Sequence, residues 1–224
     1  MSDEEKDLET PETPPPTSEE EEIVALLAGL GAQQQMQTIS QLRAISIYGE
    51  ITEETCYEAL NAILDMENTG RVISEDPDNE DQLIETYEPF DMYISTWGGS
   101  AVDMFAVYDL MRTKREHCQI NTIGMGKVMS AGILLLAAGT KGHRKVGRNC
   151  RLMIHGVISG QQGNLHSIEN EVGEARWTQK QFVKALSQES NLTQKDIKKM
   201  IDKKLNVYFD AEEAVKMGIA DEII

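Results

Sequence analysis

Residues 90–114 read FDMYISTWGGSAVDMFAVYDLMRTK, and this stretch decides the fold. From Phe90 to Thr96, apolar and polar residues alternate, the pattern of a strand with one buried face. Trp97, Gly98 and Gly99 follow as a tight turn, because glycine adopts backbone angles closed to other residues. Ala101 to Lys114 then reads as a helix. A strand that passes through a short turn into a helix is the building piece of an α/β protein.

The same alternation extends outward. Upstream, RAISIYGEI (43–51) is a strand-like run that ends at Gly49. TEETCYEALNAILDMEN (52–68) has Cys56, Leu60, Ile63 and Leu64 at helical spacing. Thr52 suits the N-cap, and Glu53 and Glu54 sit where the helix dipole favours anions. The acidic stretch 70–89 reads as a loop or hairpin excursion. Downstream, CQINTIGMG is a strand and loop, and residues 128–139 suit a buried helix rich in small side chains. RKVGR and CRLMIHG are short strands, and 164–189 is a long amphipathic helix. Thr193 begins a helix to Lys204 with Asp196 at the capping-box position. Asp210 caps another, with Glu213 three residues on and Gly218 as its stop. IADEII closes the chain as a strand. Strands alternating with helices predict an α/β fold around a largely buried sheet.

Composition bounds the function. The chain has 224 residues, 40% of them hydrophobic, and a net charge of −17. Residues 1–22 hold ten acids against one lysine, with four prolines, and residues 74–88 hold seven acids and no base. The rest is close to neutral. Residues 1–40 are therefore expected to form an acidic, Pro-rich, largely disordered segment, and residues 41–224 the folded domain, with an acidic insertion near 70–89. No basic stripe of the kind nucleic acid requires is present. The longest apolar run, AGILLLAAG (131–139), falls short of the about 20 residues a membrane span needs. The N-terminus lacks the basic and apolar regions of a secretory signal. Cys56, Cys118 and Cys150 are scattered and odd in number, which predicts free thiols in a reducing cytoplasm and no zinc site.

Three features carry chemistry. Ser130, in KVMSAG, stands at the start of the expected buried helix, where free N–H groups point toward developing negative charge. Alone, it reads as an N-cap or a small packing residue rather than as a nucleophile. The first glycine of the G-x-S-x-G elbow is replaced by Val128, and no GK[ST] phosphate loop follows. His155 alone among the four histidines lies in an apolar strand context. The Gly98–Gly99 turn lets backbone approach a ligand, but it lacks the third glycine of a dinucleotide fingerprint.

Together, YISTWGGSAVDMFAVYD, GMGKVMSAGILLLAAGTKGHR, NCRLMIHG and DAEEAVKMGIADEI resemble, in order, the motifs of the ClpP-type proteolytic subunits of the Clp protease. The 25-residue step from Ser130 to His155 fits as well. The resemblance runs from about Leu42 to Ile224. It implies a crotonase-like α/β fold of repeated β-β-α units with helix 164–189 as a protruding handle. It also implies seven-membered rings stacked in pairs, formed by this chain alone or with a homologue. By the same resemblance, Ser130 is the nucleophile and His155 the general base, while the N–H groups of Gly99 and Ala131 form the oxyanion hole. Unfolded polypeptides are the substrates, and the chain needs no cofactor, since ATP belongs to a partner ring ATPase. The strand after the diglycine helix and the segment 156–163 are expected to flank an extended peptide.

The chain departs from this family in three ways. Asn206 stands where the family's third catalytic residue is an aspartate, which predicts low activity of the chain alone. Asp210 and Asp202 are the substitutes nearest by sequence. Trp97 replaces the proline before the glycines. The acidic N-terminus and the acidic insertion are additions. The alternatives are a weakly active structural or regulatory subunit beside a standard ClpP, a capsid-maturation-type protease, and an acyl-CoA enzyme of the same fold. The last of these needs no Ser–His pair.

Overall fold

A computed structural model describes residues 42–202 and 206–224. The expectations for residues 1–40 and for the last helical residues before Asn206 lie outside the described residues. In chain order the strands are β1 (Ala44–Ile51), β2 (Arg71–Asp76), β3 (Asn79–Tyr87), β4 (Phe90–Gly99), β5 (Ile120–Met129), β6 (Arg144–Val146), β7 (Arg151–Ile154), β8 (Val207–Phe209) and β9 (Glu222–Ile223). The helices are α1 (Glu53–Thr69), α2 (Ala101–Lys114), α3 (Ala131–Ala137), α4 (Leu165–Glu189), α5 (Gln194–Ile201) and α6 (Ala211–Lys216).

β4 is the axis of the molecule. Its burial alternates residue by residue, and the strand continues through Trp97, Gly98 and Gly99. It outruns the sequence expectation because Glu50 and Ile51 of β1 pair with Gly98 and Gly99. The sheet order is β1-β4-β5-β6-β9, with β7 joining the far end of β5 and β8 pairing with β7. All pairings are parallel except β7 with β8. The α/β fold expected from the sequence is thus present, with a mainly parallel sheet and helices. Residues Arg43–Ile224 form one compact unit. The acidic excursion is a separate antiparallel hairpin of β2 and β3, turned at Asp76, whose side chain accepts from the Asp78 N–H at 2.9 Å.

The caps fall where the residues predict. Thr52, Thr193 and Asp210 each accept from the backbone N–H three residues on, and each closes a capping box. At α1 the reciprocal partner is Thr55, not an acid. α3 has only seven residues, too few to persist alone. All seven are buried against β4 and β5, with Ile133, Leu134, Leu135 and Leu136 fully enclosed. Each such side chain contributes about 1.5–3 kcal/mol. Tertiary burial, rather than helix propensity, holds this segment.

α4 reaches its buried state only near its end, at Phe182, Val183, Ala185 and Leu186, while Leu165, Ile168 and Val172 are exposed. Its last residue, Glu189, is 1% exposed. Glu189 accepts two hydrogen bonds from Arg115 at 2.9 Å and one from Tyr108 at 3.0 Å. The main-chain carbonyl of Glu189 also receives Arg144, whose guanidinium grips Asp221. The helix is therefore clamped at one end to α2 and to the sheet. No helix among the described residues is long and apolar enough to cross a membrane.

Candidate active site

The site is assembled at the carboxyl ends of parallel strands, where α/β sheets place their ligands. β5 and β7 run in register with Lys127 beside Arg151, Val128 beside Leu152 and Met129 beside Met153. Ser130 follows immediately, and its N–H donates to the Met153 carbonyl at 2.7 Å. His155 lies two residues beyond Met153. Register alone therefore brings together two residues that the sequence separates by 25.

Ser130 has φ 54° and ψ −120°. Among the described residues it is the only non-glycine with positive φ. Such a conformation costs about 1–3 kcal/mol and persists only where the surroundings impose it. Here the turn from β5 into α3 imposes it. Ser130 occupies the N-cap position, yet its side chain makes no capping hydrogen bond. That removes the capping alternative left open by the sequence. The packing alternative does not explain the strain, since a glycine would fit the angles better.

The diglycine turn lies against this serine. A Cβ on Gly98 would stand 2.6 Å from Ser130 Cβ and 3.1 Å from its Oγ, and one on Gly99 would stand 2.1 Å from the Ile51 carbonyl oxygen. Both glycines also have positive φ, 94° and 152°. Buried Thr96 holds the turn: its hydroxyl accepts from Gly98 N–H at 2.9 Å and donates to the Gly49 carbonyl at 2.6 Å. Gly99, Ser130 and Ala131 line one cleft, and Ala131 N–H is the first of α3.

His155 lines the same cleft. Its Nδ1 lies 2.6 Å from the Gly156 carbonyl oxygen. A carbonyl only accepts, so Nδ1 carries the hydrogen, and in the neutral ring the lone pair is then on Nε2. That is the tautomer a general base needs. Asn206 is placed differently. β8 runs antiparallel to β7 with Ile154 opposite Val207, and one further step of that register sets Asn206 across from His155. The Asn206 amide instead donates to the Tyr208 hydroxyl at 3.5 Å, and the residue is exposed. Among the described residues, no hydrogen bond joins His155 to Asn206 or to Ser130. Asp210 is occupied in capping α6, and Asp202 ends α5. The other histidines are engaged elsewhere: His117 with Glu67, His143 with Gln119 and His166 with Glu169.

The cleft encloses roughly 350 Å³. Met104, Phe182 and Ile201 make its buried apolar floor, and Trp97 stands at its rim, 63% exposed. Gln179 of α4 accepts from the Val157 N–H at 3.1 Å and pins the loop after His155. Segment 156–163 has no regular structure and borders the cleft through Gly156, Val157 and Ile158. β5, expected as the other flank of a bound peptide, is paired with β4 on one edge and with β6 and β7 on the other. Among the described residues, Met125 and Gly126 have no register partner on either edge, so β5 leaves this break open to a peptide rather than a full edge. Thiol chemistry is also disfavoured. Burial pushes the Cys150 thiol up to about 11, and burial aided by Asp103 does the same to Cys56; neither residue lines this cleft.

Residues 29–224 match the family model described as Clp protease. The chain belongs to the Clp protease family. It is 29% identical over 197 residues to the ATP-dependent Clp protease proteolytic subunit 1 of Prochlorococcus marinus, covering 87% of this chain and 91% of that protein. It is 34% identical over 151 residues to proteolytic subunit 2 of Frankia casuarinae, covering 67% and 64%. Proteolytic subunit 1 of Tropheryma whipplei is 36% identical over 135 residues, covering 59% and 63%. The matched region spans somewhat less than two thirds of the last two proteins.

Several residues in and around this candidate site escape sequence reasoning. Thr96 looks like an ordinary strand residue, and only its burial shows that it ties the turn to β1. Gln179 sits on a polar stretch of a long helix with no local signal. The Glu189 clamp, which does not line the cleft, carries no local signal either.

Proposed function

We propose that this chain is a serine endopeptidase subunit in which Ser130 attacks the scissile carbonyl. Its hydroxyl proton passes to Nε2 of His155, and the N–H groups of Gly99 and Ala131 receive the oxyanion. Collapse of the tetrahedral species returns the proton to the leaving amine and leaves an acyl group on Ser130, which water then removes. The observation that carries this reading is the strained backbone of Ser130, held in one cleft with His155 and the diglycine turn. Asn206 is the third member, orienting His155 through its side-chain oxygen once it leaves Tyr208. In the present geometry the Gly156 carbonyl selects the tautomer but supplies no charge for the imidazolium, so activity of the isolated chain is low.

Family membership supports the wider setting. The relatives' names describe an ATP-dependent protease, so ATP is consumed by a partner ring ATPase that delivers unfolded polypeptide. The subunits assemble as stacked seven-membered rings, alone or with a homologue, in the cytoplasm, and the peptidase itself takes no cofactor. A fluorophosphonate probe tests the core of the proposal. Assembled wild type is expected to label, and Ser130→Ala not to. Equal labelling of both refutes an active nucleophile.

One observation favours a second reading. Without a hydrogen bond from His155 to Ser130 or to Asn206, the chain would serve as a structural or regulatory subunit that becomes active only beside a standard homologue. Mixing with such a homologue then raises Ser130 labelling; labelling that is complete without it excludes this reading.

A further inference from the structure

The outer face of the sheet carries two cations close to the cleft. Lys127 of β5 and Arg151 of β7 are register partners, three residues before Ser130 and four before His155. Lys127 Nζ sits between two exposed rings, 4.8 Å from the centre of Trp97 and 4.9 Å from that of Tyr48. The Arg151 guanidinium lies 5.6 Å from the centre of Tyr208. Among the described residues neither cation has a carboxylate partner, although the chain as a whole is strongly acidic. Glu50 shares this face and makes no ion pair with Lys127. Trp97 belongs to both features: one side meets Lys127, and it also lines the cleft of Ser130 and His155.

We infer that Lys127, steadied by Tyr48 and Trp97 and seconded by Arg151, forms a carboxylate subsite for an acidic side chain of the bound peptide. This rests on the peptidase reading. The aromatic rings hold the ammonium in place without neutralising it, because cation–π attraction leaves the net charge intact. An incoming carboxylate gains a charge-assisted hydrogen bond at low ordering cost. The cleft's own lining carries no lysine, arginine or carboxylate, so this rim adds charge selection to it. Trp97, which stands where the family's usual residue is proline, is what connects the charge to the cleft. The occupant is peptide in extended form, running from Ser130 along the cleft to Trp97 and the Lys127 beside it.

The test measures binding of fluorescein-labelled peptides to the full-length Ser130→Ala chain by anisotropy. A Glu is scanned along a neutral sequence, with Gln and Lys at each position as references. At one or two positions Glu is expected to bind about two- to fivefold tighter than Gln, the range open to an exposed ion pair. The preference fades as salt is added. Lys127→Met abolishes it, and Lys127→Glu reverses it in favour of Lys. Lys145→Met, which removes an equal charge on β6, keeps it. Equal binding of Glu and Gln peptides at every position overturns the inference, as does an unchanged preference in Lys127→Glu or the absence of any binding. Failure of the peptidase reading shows separately, as a wild-type Ser130 that does not label with fluorophosphonate.

Discussion

Asn206→Asp exchanges an amide for a carboxylate at the position that the β7–β8 register sets across from His155. Cross-strand partners lie about 5 Å apart. At that separation and an effective dielectric constant of about 20, a carboxylate and an imidazolium attract by about 3 kcal/mol. Asn206 is exposed, and measured exposed pairs retain at most about 1 kcal/mol. Screening therefore leaves the transition state, which holds the imidazolium, stabilised by about 0.5–1 kcal/mol over the ground state, in which the ring is neutral. That corresponds to a gain of about two- to fivefold in kcat. Hydrolysis of a fluorogenic peptide, with kcat and KM determined separately, reads the effect. KM should stay nearly constant, because the charge acts on a group that changes only during reaction. A kcat unchanged within twofold, in a variant with unaltered assembly and thermal stability, refutes the assignment of Asn206 to the triad. A gain in Ser130→Ala as well would mean that the measured hydrolysis is not this site's.

Gly98→Ala places a methyl group 2.6 Å from Ser130 Cβ on a backbone with φ 94°; fluorophosphonate labelling should slow by about a hundredfold, as expected for an ångström-scale displacement of a catalytic group, while circular dichroism stays native. Glu189→Gln leaves Arg115 with an uncompensated, largely buried charge, at a cost of about 3 kcal/mol, and calorimetry should show Tm lowered by about 10 °C. Adding Arg115→Met to that variant recovers part of the loss if the pair is the cause. Burial would raise the Asp221 carboxyl, but hydrogen bonds from Arg144 and from the Gly142 N–H outweigh it and hold the group below its ordinary range. Its stabilisation is therefore complete above its unfolded pKa of about 4 and is lost as pH falls through the lower folded value. Urea titrations should accordingly show Asp221→Asn less stable at pH 7, with a shallower decline below pH 4.

The alternation of strands and helices was legible because apolar residues recur at two different periods. The caps were legible because they require particular residues at particular offsets: Thr193 with Asp196 and Asp210 with Glu213 appear as read. The strand ends were not. Trp97, Gly98 and Gly99 read as a turn, but they extend β4 because β1 supplies partners for Gly98 and Gly99 beyond a bulge at Trp97, and no local pattern reports a distant edge. β8 passed unread for a related reason: three residues, VYF, become a strand only because β7 lies beside them. At the site, Ser130, His155 and Gly99 were drawn together by motif order, and the backbone geometry at Ser130 gives that grouping a physical cause. The Gly156 carbonyl beside His155 Nδ1 had no sequence signal, since any residue carries a carbonyl.

The members of the site differ in how firmly the fold holds them. Ser130 hangs from β5, which is paired on both edges, and its own N–H is tied to β7. Thr96 locks the diglycine turn to β1, and buried Thr96, Val128 and Met129 leave little room for adjustment. His155 follows directly from β7, one strand further out. Asn206 precedes β8, a three-residue strand that among the described residues pairs with β7 alone, and its side chain there reaches only the exposed Tyr208. Strand support thus falls along the line from Ser130 to His155 to Asn206, the proposed nucleophile, base and orienting group. The strained serine requires the rigid end, because backbone strain persists only where packing over-determines it. The orienting group tolerates the loose end, because the Gly156 carbonyl already selects the histidine tautomer. The short β8 edge is therefore the place where activity can change without disturbing the nucleophile, and the Asn206 substitution addresses that edge and no other part of the site.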